Sequence, residues 1–155
     1  MDKITILVIV IVVLMIGSIF LLSRIKIQAS VPLPKQNNNS VPNSITIEGK
    51  EIFIEYARTR QEQQTGLMNR KFLDENAGML FVFSMALPQS FWNQNTLIPL
   101  DVIWIRNGVV IGVSALPNIQ EQSKTIFSPG LADQVLEVNA GFANQYNIKR
   151  GSIIK

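Results

Sequence analysis

Residues Ile4 to Leu22 read ITILVIVIVVLMIGSIFLL, an apolar run softened only by Thr5, Gly17 and Ser18. The run is apolar on every helical face, whereas a helix packed on one side of a water-soluble core is polar on the other. As a helix it would span roughly 28 Å, close to the ~30 Å hydrocarbon core of a bilayer. Isoleucine and valine are mediocre helix formers in water, but in lipid the backbone must satisfy its own hydrogen bonds, and a helix does so. The run predicts a single membrane-spanning helix, with residues 1–27 serving as an anchor and membrane lipid as its partner. It is longer than the ~7–15-residue apolar core of a cleavable signal peptide. The nearest cleavage-like tripeptide, Ile27-Gln28-Ala29, places a bulky residue where a small one is needed. The anchor is therefore expected to be retained.

Orientation rests on two opposed signals. Lys3, offset by Asp2, precedes the span, and Arg24 and Lys26 follow it. A positive-inside count leaves the domain in the cytoplasm. A single N-terminal span ahead of a linker and a folded domain is instead the usual build of an exported, tethered protein. The expectation is an extracytoplasmic domain at the cell envelope. Residues Gln28 to Ser44, QASVPLPKQNNNSVPNS, are rich in proline and asparagine and nearly empty of large apolar side chains after Leu33. They bury too little to offset ordering entropy and read as a mobile linker. The domain proper is expected over residues 45–155.

Charge and composition then narrow the function classes. The chain has 14 basic and 11 acidic residues, but the excess lies ahead of the domain: residues 45–155 hold ten of each and are neutral. A nucleic-acid partner thus loses its electrostatic motive. There is no cysteine and no histidine, which excludes disulfides, thiolate zinc sites, cysteine nucleophiles and histidine-dependent triads or zinc enzymes. No cofactor is expected.

The domain pattern is one of short strands. Ile45 and Ile47, then Ile52, Ile54 and Tyr56, alternate with polar residues on either side of Gly49-Lys50, a hairpin signature. Thr59 with Glu62 can form a capping box that opens a short helix running to about Met68. Gly78 to Phe83 is a continuous apolar run suited to a buried strand. Leu100 to Ile105 and Val109 to Val113 flank Arg106-Asn107-Gly108, where Asn107-Gly108 accommodates positive φ and predicts an antiparallel pair. Val135 to Ala140 reads as another strand, Gly141 to Ile148 as a helical turn, and Ser152 to Lys155 as a final short strand. The expected fold is mainly β (α+β): a compact antiparallel sheet, partly closed and barrel-like, with one or two short helices.

The densest chemistry lies in Gly66-Leu67-Met68-Asn69-Arg70, Gly78-Met79-Leu80-Phe81-Val82-Phe83, Phe91-Trp92-Asn93-Gln94-Asn95-Thr96, Pro99-Leu100-Asp101 and Val135-Leu136-Glu137-Val138-Asn139-Ala140-Gly141. In this order and spacing the segments resemble the DUF192 (UPF0127) family, whose pattern runs GLM-x-R, GMLF-x-F, FWM-x-NT, PLD and VLE-x-x-AG. Asn93 departs from the family methionine, and Ser152 stands where an acidic residue often follows glycine. The resemblance implies a small β-rich domain, often exported or membrane-attached, without an established activity.

Individual residues then supply the candidate site. Trp92 offers a flat stacking face for a sugar or peptide. Asn95 could orient a ligand, though asparagine beside a strand also ties down loops. Arg70 could hold an anion or cap the preceding helix. Asp101 is expected at a strand rim, within reach of Arg58, Arg60 or Arg70. Glu137 lies mid-strand, where it could approach Asp101. Gly66 and Gly78 are expected to serve a helix end and a turn. The leading expectation is a non-catalytic binding module presenting Arg70, Trp92, Asn95 and Asp101 to an envelope glycan or peptide. The alternative is a carboxylate hydrolase of envelope carbohydrate using Asp101 and Glu137 as acid and base. A metal held by the same pair is disfavoured, because no Asp-rich loop is present.

Overall fold

A computed structural model describes residues 43–155. The expected membrane helix, and the linker up to residue 42, lie outside the described residues. Within them, no helix is long and apolar enough to cross a membrane.

Six strands and two short helices follow one another: β1 (Ser44–Ile47), β2 (Lys50–Ala57), α1 (Arg60–Thr65), β3 (Ala77–Trp92), β4 (Leu100–Arg106), β5 (Val109–Leu116), β6 (Thr125–Asn139) and α2 (Phe142–Gln145). Both hairpins form where local chemistry places them. Glu48 and Gly49 take successive positive φ angles of 48° and 77°, so the first turn falls one residue earlier than expected and Lys50 opens β2. Asn107 and Gly108 do the same at 51° and 73° between β4 and β5.

The strands form one sheet in the order β1-β2-β3-β6-β4-β5. Two features depart from the expected antiparallel, partly closed sheet. First, β2 and β3 are parallel, from Phe53 opposite Ala77 to Ala57 opposite Phe81. Parallel neighbours need a long crossover, and residues 58–76, with α1 at their start, supply it. Second, the six strands do not close on themselves: β1 and β5 remain the edges. The expected last strand is reduced to isolated bridges, Ile154 to Ile47 on one edge and Ile153 to Val109 on the other. Thr46 and Lys155 exchange both backbone hydrogen bonds, at 2.8 and 2.9 Å. The C-terminal residues thus occupy backbone groups on both edges, which would otherwise invite pairing with another chain.

The long strands β3 and β6 pair antiparallel, with register shifts between Val82 and Leu87 and between Pro88 and Ser90. Proline inside a strand is tolerated at such irregularities, and this lets β3 run on from the expected Gly78–Phe83 segment to Trp92. The sheet is buried on both faces at its centre, which explains the continuous apolar runs. Along β4, Leu100, Val102 and Trp104 join one apolar cluster with Met79, Phe81 and Val135. Ile103 and Ile105 join the other, with Leu80, Leu136, Val138 and α2 residues Phe142 and Ala143. Gly78 does not make a turn. It sits inside β3, where a Cβ would lie 2.8 Å from the Glu137 carbonyl oxygen, so glycine permits close strand approach.

Candidate functional site

The site is built around one carboxyl group. Glu137 pairs with Met79 of β3 on one side and Val102 of β4 on the other. Its side chain therefore lies on the face that carries Phe81, Val102 and Val135. It is only 5% exposed. Among the described residues none donates a hydrogen bond to it, and burial alone pushes its carboxyl up to about 8. At neutral pH the group is predominantly uncharged.

The opening above Glu137 is shaped by the end of α1. The Thr59 hydroxyl accepts from Glu62 N at 3.2 Å, while the Glu62 carboxylate accepts from Thr59 N at 2.8 Å. This is the expected capping box, and it holds the Glu62 carboxyl below its usual range. The helix stops at Thr65, short of the expected Met68, because Gly66 turns to a φ of +47°. A Cβ at Gly66 would come 3.3 Å from Phe81 Cζ and 3.9 Å from Glu137 Oε2. A side chain here would press on the Phe81 ring and come into contact with the carboxyl.

The result is a narrow cleft of about 30 Å³ lined by Gln63 to Met68, Phe81, Phe91, Trp92, Thr96 and Glu137. It shares Gln63, Gln64, Phe81, Phe91 and Trp92 with a wider groove of about 240 Å³, whose other walls include Arg60, Phe83, Gln89 and Ser90. Phe91 is set by edge-to-face contacts with Phe81 at 4.8 Å and with Trp104 at 5.6 Å. Gln63 Nε2 donates to the carbonyls of Val82 at 2.8 Å and Ala57 at 3.4 Å, tying α1 to the sheet. Trp92 stands at the shared mouth and is 57% exposed.

The expected site residues divide accordingly. Trp92 and Glu137 line the cleft. Asp101 does not: it pairs with Val138, so its side chain points to the opposite face from Glu137. There it is buried rather than at a rim, and its Oδ2 accepts from Ala143 N at 2.9 Å at the start of α2. Alternation across adjacent strand positions separates the two carboxyls, so the structure does not assemble the acid–base pair of a hydrolase. None of the arginines weighed as partners reaches Asp101. Arg70 makes a two-pronged ion pair with Glu55, which lowers the Glu55 carboxyl and raises the guanidinium. Arg58 lies 4.1 Å over the Tyr56 ring.

Asn95 is an exposed turn residue with a φ of 54°, and its carbonyl accepts from Asn69 N at 2.8 Å. It fastens the segment after Trp92 to the loop after Met68 and does not line the cleft. Asn93, in place of the family methionine, is buried and fully engaged. It donates to the Pro117 and Gln122 carbonyls at 2.8 and 2.6 Å and accepts from Lys124 N at 2.9 Å. Ser152, the other departure, accepts from Lys149 N at 3.1 Å within a turn. Among the described residues, no cluster of three or more His, Cys, Asp or Glu could hold a metal ion.

Gln63, Phe81, Phe91 and Thr96 line the cleft without carrying a site signal of their own in the sequence. The sequence signal is collective: the segments Gly66-Leu67-Met68, Phe81, Phe91-Trp92, Thr96 and Glu137, which carry most of the motif pattern, converge on this one cleft.

Comparison with known proteins agrees with this architecture. Residues 43–155 match the family model DUF192, described as "Uncharacterized ACR". No curated protein matches the chain. A crystal structure of a protein of unknown function from Novosphingobium aromaticivorans DSM 12444 is 32% identical, with a TM-score of 0.67, covering 72% of this chain and 83% of its own. A second, from Sinorhizobium meliloti 1021, carries the description "putative transcription regulator". It is 27% identical with a TM-score of 0.66, covering 72% of this chain and 91% of its own.

Proposed function

The chain belongs to the DUF192 family, and we propose that its domain is a non-catalytic binding module, tethered to the membrane through residues 4–22 and engaging an envelope peptide or glycan at the groove between α1 and β3. One observation carries the binding reading: an exposed tryptophan, Trp92, stands at the mouth of a cleft whose floor is the unpartnered carboxyl of Glu137. A flat apolar face outside and a polar group inside are the two elements by which concave sites orient a ligand. The tether is supported by the length and all-round apolarity of Ile4–Leu22. An extracytoplasmic domain is the orientation in which envelope ligands are met. The neutral charge of residues 45–155 gives no electrostatic motive for a nucleic-acid role.

The test uses full-length protein isolated with membranes and then solubilised in detergent, assayed against a panel of envelope-type peptides and glycans. The expected result is recovery in the membrane fraction and at least one ligand whose binding falls about tenfold in Trp92→Ala, the loss of roughly 1.4 kcal/mol of stacking contact. Asp101→Asn, on the other face, should leave that binding unchanged. Recovery wholly in the aqueous fraction would remove the tether. Binding indifferent to Trp92→Ala would remove the groove.

A further inference from the structure

We propose that the Glu137 cleft is a receptor for a primary ammonium group carried on a slender stem, of the kind that ends a lysine side chain. The inference rests on the reading of the groove as a binding site and names the group it takes.

Size sets the first limit. The inner cleft, at about 30 Å³, has room for one small polar group, whereas the outer groove, at about 240 Å³, can hold the body of a ligand. Whatever reaches Glu137 must be narrow and must pass between Phe91, Trp92 and the Gly66 turn.

The unused hydrogen-bonding capacity sets the second. The amide nitrogen of Gln63 is committed to two backbone carbonyls, so its free atom in this region is the acceptor oxygen. The Thr96 hydroxyl donates to the Gln94 carbonyl at 3.4 Å and keeps its lone pairs. Glu137 offers two oxygens and, among the described residues, meets no donor. Donors are present too, in the Gln64 amide, the Thr65 hydroxyl and the Trp92 indole, but the lining is walled by aromatic rings and its one ionisable residue is the acidic Glu137. An ammonium group brings three donors and a positive charge, and aromatic walls favour cations.

Glu137 is also sheltered from competing charges. On its own sheet face its register partners are Met79 and Val102. From α1, the Glu62 carboxylate is held in the capping box, and Arg60 lines only the outer groove. A neutral carboxyl therefore waits at the floor. When the ammonium seats, the carboxyl gives its proton to the buffer and becomes the carboxylate partner, since a buried charge is stable only when paired.

The experiment is calorimetric titration of the full-length protein in detergent at pH 7 with Nα-acetyl-lysine amide and with its Nε-acetylated counterpart. The first should bind at least tenfold more tightly. Repeating the titration in phosphate and in Tris should show release of close to one proton per ligand, a count that needs no variant. Glu137→Gln should lose both the tenfold preference and the proton release while keeping its amide NMR fingerprint elsewhere. Equal binding of the two compounds, no binding of either, or binding without proton release would overturn the inference. If panel ligands still depend on Trp92 in any of those cases, only the ammonium assignment falls. If none does, the groove reading falls beneath it.

Discussion

A carboxyl group buried without a donor destabilises the fold whenever it is ionised. Folded Glu137 keeps its proton to about pH 8, whereas the unfolded chain releases it near 4.5. Between those values the folded state binds one more proton than the unfolded state, so stability falls as pH rises through the interval. Below 4.5 both states are protonated and the effect vanishes; above 8 the loss levels off. Each pH unit is worth ~1.4 kcal/mol, which makes the whole effect on the order of a few kcal/mol. Glu137→Gln does not titrate, so it should gain on the wild type steadily from pH 5 to pH 8 in thermal or urea denaturation. A stability difference that stays constant with pH would show that Glu137 ionises freely in the folded protein. An acidic residue inside the run Val135-Leu136-Glu137-Val138 marks an unusual strand position in the sequence itself. Its neighbours are not readable there, because Met79, Val102 and Gly66 arrive from three other segments. Asp101 shows the converse: its helix-capping partner, Ala143, lies far along the chain.

Among the elements, α1 gives the clearest link between local sequence and site. A six-residue helix is marginal by itself, and the Thr59–Glu62 box is what holds its first turn. Because α1 and the Gly66 turn form one wall of the cleft, Thr59→Ala should cost about 1 kcal/mol of stability. It should also weaken groove ligands by up to about fivefold, the most that this energy can contribute if all of it reaches the bound state. Denaturation and a binding titration on the same sample check both, and lost stability with unchanged affinity would show that the wall holds without its cap. The capping box and both hairpin turns were legible because each signal spans a few residues. The parallel pairing of β2 with β3 was not, since nothing near Phe53 or Ala77 specifies a crossover. The continuation of β3 past Pro88 was hidden for a similar reason: only its pairing with β6 makes that proline tolerable.

At the scale of the whole domain, the sheet has two unlike faces set by strand alternation. One face is sealed by α2, with Asp101 spent on its start; the other carries the groove. The motif segments identified the family from sequence, yet only the assembled structure shows that Glu137 and Trp92 line one cleft and that Arg70, Asn95 and Asp101 serve an ion pair, a turn and a helix start. The zero net charge of residues 45–155 gives no electrostatic motive for a broad charged partner. The most direct test is amide chemical-shift mapping across the whole domain as the tightest peptide or glycan from the panel is added. The account predicts perturbations concentrated at residues 63–68, 81–83, 91–96 and 137, with α2 and Asp101 silent. Perturbations centred on α2 and Asp101, or on neither face, would contradict it.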